Sequence, residues 1–98
     1  MSLAIRFLPL ASLELDEAIG WYEKQRPGLG LELKAEVDNF LNHIAENPAR
    51  FRCVRGNVRR ALLRRFPYSI HFLEESETII VVAVFHGHRD PRHLEGRG

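Results

Sequence analysis

Seven consecutive apolar residues, Ile79-Ile80-Val81-Val82-Ala83-Val84-Phe85, limit the possible folds of this chain more than any other feature. Branched side chains dominate the run, which suits a β-strand. A strand that is apolar at every position must be covered on both faces, so it belongs inside a sheet. Seven residues are far too few to cross a bilayer as a helix, and no membrane partner is expected. A chain of 98 residues can bury one core of modest size, and residues 1–98 read as a single domain.

The rest of the chain must build the cover. Leu3 to Leu8 predicts a short strand closed by Pro9. Ser12 predicts the cap of a first helix, with Glu14, Asp16 and Glu17 in its first turn and Leu15, Ala18, Ile19 and Tyr22 at helical spacing. Pro27-Gly28-Leu29-Gly30 breaks the pattern. Leu33, Val37, Phe40, Leu41 and Ile44 then predict a second amphipathic helix that stops at Asn47-Pro48, since a residue before proline is pushed out of the helical region. So short a break implies an antiparallel helical hairpin.

Pro48 to Asn57 reads as a polar loop, followed by strands over Val58 to Arg65, Tyr68 to Glu74 and Thr78 to His86. Tyr68, Ile70 and Phe72 fall on one face of the middle strand, with Ser69 and His71 on the other. Glu75-Ser76-Glu77 predicts a hairpin turn. Arginines occupy both faces of the Val58–Arg65 run, which predicts a twist, a bulge or arginine stems along a sheet edge. The predicted class is α+β in the order β-α-α-β-β-β, an antiparallel sheet packed on one face by the two-helix hairpin. Loops, tail residues or a partner chain must cover the other face.

Charge divides the chain. Residues 1–49 carry eight acids and four bases, a net −4; residues 50–98 carry five acids and ten bases, a net +5. All ten of those bases are arginine. The planar guanidinium fork suits bidentate contact with phosphate or carboxylate, so this half reads as a surface that grips an anion or an acidic protein. The single cysteine, Cys53, cannot form an internal disulfide and reads as an incidental thiol. With no secretory signal recognised, a cytoplasmic location is expected.

Several motifs together resemble the RelE/ParE superfamily of toxins: the element order, Ala18-x-x-Trp21-Tyr22-Glu23, Asn47-Pro48, the run Val58 to Tyr68 and the closing His86-Gly87-His88-Arg89-Asp90-Pro91. The resemblance spans nearly the whole chain. It implies the toxin of a type II toxin–antitoxin (plasmid stabilisation) module, neutralised by a cognate antitoxin that is acidic where it binds. ParE-like poisoning of DNA gyrase is the main expectation. Ribosome-dependent cleavage of messenger RNA, as in RelE-like members, is the alternative, and a non-toxic basic binding module of the same fold is the second.

Each reading names residues. RNA cleavage without a metal needs a base, an acid and cations around the phosphate. His86, His88 and Arg64 are the candidates for that set. Arg59, Arg60, Arg64, Arg65 and Arg89 are the candidates for contact with a target or phosphate. RelE-like nucleases often add sheet lysines and a tyrosine or histidine in the final segment. Here the basic half has no lysine and the only tyrosines are Tyr22 and Tyr68, which favours the binding reading. Val82, Val84 and Phe72 are the candidates for antitoxin contact, because an acidic and apolar segment would cover both the apolar strand and the basic face. The blander readings are a hydrogen-bonded strand-end histidine at His86, a solvated edge for the arginines, and packing for Trp21 and Tyr22. No metal ligand set and no glycine-rich phosphate loop is present, so no cofactor is expected.

Overall fold

In the computed structural model the described residues are 2–87, Leu94, Gly96 and Arg97. Strand β1 (Ala4–Phe7) leads into helix α1 (Pro9–Gln25) and helix α2 (Leu29–Glu46). A 3-10 turn (Pro48–Arg50) precedes strands β2 (Arg52–Arg55), β3 (Val58–Leu62), β4 (Tyr68–Glu75) and β5 (Thr78–His86). The strands form one sheet in the order β1-β5-β4-β3-β2.

The α+β class and the helical hairpin agree with the sequence. The sheet differs in two respects. It is mixed, because β1 runs parallel to β5 while the other pairs are antiparallel. It also has a fifth strand, β2, inside the segment read as a loop. A two-residue Gly56-Asn57 turn folds β2 onto β3, with Gly56 at φ +57. The predicted strand to Arg65 therefore ends at Leu62, and residues 64–67 form a bend. The first helix also starts earlier than Ser12. Pro9 stands in its first turn, where a missing N–H costs nothing, and the Ser12 amide already donates to the Leu8 carbonyl.

β5 lies between β1 and β4, as an all-apolar strand requires. One face meets the helices: Leu33, Val37, Leu41 and Ile44 of α2 pack with Ile70, Phe72, Ile79, Val81 and Val84. The other face buries Leu73, Ile80, Val82, Ala83 and Phe85 beneath Leu8, Val54, Val58 and Leu94. A bulge gives β5 one residue more than β4 at this point, since Ala83 pairs with His71 and Val81 with Phe72. Val82 and Ala83 consequently share the outer face, and Val84 returns to the helical side.

The hairpin of helices is fastened by a carboxylate. Glu23, near the end of α1, accepts from the Gly28 amide at 2.7 Å and the Gly30 amide at 3.0 Å, two donors at the start of α2 that have no partner within the helix. Gly28 takes a left-handed conformation (φ +91) to make the turn. Gly30 is buried against the backbone of α1 at Ile19.

Candidate functional site

Among the described residues, the arginines of the basic half do not all share one face. Neighbouring residues of a strand point to opposite faces, and Arg59 and Arg60 obey this rule. Arg59 is cross-strand partner to Cys53 and Phe72, on the helical side, and its Nη1 donates to the Phe51 carbonyl at 2.6 Å. Arg60 is partner to Arg52 and His71 on the outer face. Two like charges directly opposite one another cost a few tenths of a kcal/mol. Neither guanidinium has a partner among the described residues.

Arg64 and Arg65 lie in the bend after β3. Glu36 of α2 holds that bend, accepting from the Arg64 amide at 2.6 Å and the Arg65 amide at 3.0 Å. The Arg65 guanidinium is engaged by Glu32, which also meets Arg26. Its hydrogen bond from Arg65 is the main reason that the Glu32 carboxyl titrates below its ordinary range. The bend, α2 and the 3-10 turn enclose a cleft of about 580 Å³, with Phe40 and Phe51 among its walls and Arg50 and Arg64 at its rim. Replacing Glu36 with alanine should lower stability by about 2 kcal/mol, because two amides lose a charged acceptor. Glu36→Gln, which keeps an acceptor oxygen, should lose about half as much in the same urea titration.

His86 does not line the cleft that holds Arg64 and Arg65. It is exposed at the end of β5, edge-on to Tyr68 with ring centroids 5.1 Å apart, in a notch of about 200 Å³ that also includes Glu17 and Trp21. His88 and Arg89 lie outside the described residues, so the proposed histidine pair has one described member. Two other histidines lie among arginines: His43 lines the α2 cleft with Arg50, Arg64 and Arg65, and His71 stands opposite Arg60, only 2% exposed. Burial above all, then the positive charges of Arg60 and Arg97, lowers the pKa of His71 to about 4. Its Nδ1 has no hydrogen-bond partner. A buried neutral imidazole is a poor proton donor near neutral pH.

The three residues expected to meet an antitoxin are all buried. Phe72 and Val84 are in the core beneath the helices, and Val82 is covered on the outer face. Apolarity at every position of β5 reflects two covered faces and not an exposed strip, so none of the three is a contact surface in the folded chain. The residues that organise the sites are instead carboxylates. Glu14 and Glu36 each accept backbone amides distant in sequence, which no local pattern marks, and Glu23 accepts those at the start of the next helix. Among the described residues, no three His, Cys, Asp or Glu side chains group closely enough to hold a metal ion.

Family comparison decides the identity of this scaffold. Residues 5–91 match the family described as the ParE toxin of the type II toxin–antitoxin system parDE. The chain belongs to the ParE toxin family. Among solved structures, this ParE-family fold is similar to the chromosomal ParDE toxin–antitoxin system of P. aeruginosa, with a TM-score of 0.77 at 15% identity over 89% of this chain and 98% of that one. It is also similar to the RelBE2 toxin–antitoxin complex of Mycobacterium tuberculosis, with a TM-score of 0.61 at 16% identity over 88% of this chain and 99% of that one. At such identities the likeness is one of fold. A search of curated protein sequences gave no match. Among the described residues of this ParE-family chain, no helix is long and apolar enough to cross a membrane.

Proposed function

We propose that this ParE-family toxin arrests growth by binding a large target, DNA gyrase, and not by cutting RNA. The match to the ParE toxin family is the observation that supports this reading. Metal-free cleavage of RNA needs an acid, a base and cations around one phosphate. Of the set expected for cleavage, His86 is at the end of β5 beside Tyr68 while Arg64 lines the α2 cleft with Arg65 and His43, and Arg60 is on the outer face beside a histidine that is held neutral. A surface that only binds has no need to converge in this way. It needs unpaired, well-placed guanidinium groups, and Arg52 and Arg60 are such a pair on the outer face.

A cognate antitoxin is the second partner. The solved relatives are toxin–antitoxin complexes, and unpaired arginines suit an acidic segment that orders as it binds. Arg50 and Arg64 at the cleft, with Phe40 and Phe51 beside them, offer such a segment both charge and apolar surface.

Arg60→Thr tests the assignment. Stability should hold or rise by a few tenths of a kcal/mol, because a like-charge opposition is removed. Growth arrest should weaken by about tenfold or more in inducer dose, a loss of at least 1.4 kcal/mol in target binding. Induced wild-type cells should filament and raise a DNA-damage response. Rapid loss of translation with messages cut inside codons would instead establish the nuclease.

A further inference from the structure

The cleft beside α2 has a long wall, a fixed shape and a charge of one sign. Glu32, Glu36, Phe40 and His43 follow one another at helical spacing and form the wall, about 16 Å long by the rise of a helix. Arg64, in the bend after β3, enters at the level of Glu36, which holds that bend through the Arg64 and Arg65 amides. Arg50, in the 3-10 turn that follows α2, enters at the end marked by His43. Glu36 and His43 are seven residues apart, or about 10 Å along the helix axis.

The charge left over is positive. Both acids of the wall are engaged, Glu36 with the two amides and Glu32 with Arg65 and Arg26. The Arg50 and Arg64 side chains are exposed and have no partner among the described residues. Phe40 and Phe51 are half-buried and leave apolar surface in the cleft. Phe51 is held in place: the Phe72 ring meets it edge-on at 5.7 Å between centroids, and Arg59 Nη1 donates to its carbonyl. A site whose bend and aromatic wall are already fixed loses little entropy on binding. None of the lining residues belongs to a strand, so an occupant finds no strand edge to pair with. It must satisfy its own peptide groups, and a helix does so.

We infer that the cleft beside α2 takes an acidic, amphipathic helix of a partner protein. Two acidic residues seven apart on that helix span about 10 Å and meet Arg64 and Arg50. The apolar residues at the third and fourth positions between them share the same face and rest on Phe40 and Phe51. On the antitoxin reading above, on which this assignment rests, the helix belongs to the antitoxin. The cleft selects it by the placing of its acids and not by their number. Arg52 and Arg60 lie on the outer face of the sheet, so the helix occupies neither arginine assigned to the target.

The probe is a capped, fluorescein-labelled peptide stapled as a helix, with glutamates seven residues apart and leucines at the third and fourth positions between them. Anisotropy should show saturable binding to the full chain, and the Arg64 and Arg65 amides should shift in NMR spectra. An isomer with one glutamate moved two positions, onto another face, should bind at least about fivefold more weakly. Equal binding of the two isomers overturns the assignment, and this arm uses the unaltered protein. Arg50→Gln and Arg64→Gln should each bind the probe at least about fivefold more weakly. Arg6→Gln, which removes the same charge from exposed β1, should stay within about twofold of wild type. Equal weakening in all three variants would show attraction by net charge alone and overturn the site. An unstapled peptide with a central proline should bind at least about tenfold more weakly, and equal affinity would overturn the helical form. Tighter binding of a short oligothymidylate, weakened by Arg50→Gln and Arg64→Gln, would assign the cleft to nucleic acid instead. Pull-down of the cognate antitoxin separates this assignment from the reading beneath it. No complex with wild type removes the antitoxin reading, whereas equal complexes with wild type and both cleft variants remove the cleft and leave that reading standing.

Discussion

Replacing Gly30 with alanine should destabilise the protein by about 3 kcal/mol, the upper range for forcing extra atoms into a packed interior. A Cβ at Gly30 would collide with the carbonyl oxygen of Ile19 on the facing helix. It would also stand 2.9 Å from the Glu23 carboxylate oxygen that accepts the Gly30 amide and 3.1 Å from Cγ2 of Ile19. The first obstacle is backbone, so relief requires the helices to move apart. That movement would loosen the carboxylate cap on α2 and thin the cover over β5. Gly20 provides the control. A Cβ there meets nothing within 4 Å, so Gly20→Ala should raise stability by about 1 kcal/mol through helix propensity alone. Urea titrations of the two variants should therefore move in opposite directions from the wild type. Similar effects for both would show that the helices do not approach closely at Gly30.

Acid should unfold this protein earlier than its carboxylates alone require. In the unfolded chain His71 titrates near 6.5, whereas burial, Arg60 and Arg97 lower its pKa in the folded state to about 4. The folded form therefore excludes a proton that the unfolded form accepts. The stability associated with this group is complete above pH 6.5 and is lost as pH falls from 6.5 towards 4. The full shift corresponds to about 3 kcal/mol. Screening near the sheet surface brings the expected loss to about 2 kcal/mol. His71→Leu, which cannot take up a proton, should show a decline between pH 6.5 and 4 that is smaller by that amount. Parallel pH profiles for the two proteins would mean that His71 is protonated at little cost in the fold.

Much of the scaffold is legible in the sequence, because periodicity reports burial. The 3.6-residue spacing of Leu33, Val37, Leu41 and Ile44 and the unbroken run in β5 each follow directly from the faces that they cover. Four-residue β2 escaped because arginines hold both of its ends and its apolar content is Cys53 and Val54. The usable signal there was the Gly56-Asn57 pair, a common two-residue hairpin turn. The parallel pairing of β1 with β5 depends on where two helices return the chain, which no local pattern encodes. In the site, composition singles out an arginine-rich half, but a charge count carries no direction. Strand alternation sends Arg59 and Arg60 to opposite faces, and the bend after Leu62 sends Arg64 and Arg65 towards α2. Glu14 looked like a first-turn helix acid, yet it binds an amide 70 residues away.

The central claim, that this toxin acts by binding and not by bond cleavage, is tested most directly with the purified protein and its His86→Ala variant. Both would be assayed for inhibition of gyrase supercoiling and for message cleavage on translating ribosomes. The account predicts that wild type and variant inhibit supercoiling within about twofold of each other, a difference of under 0.5 kcal/mol, and that neither cuts the message. Unimpaired supercoiling, together with message cleavage that disappears in His86→Ala, would contradict it.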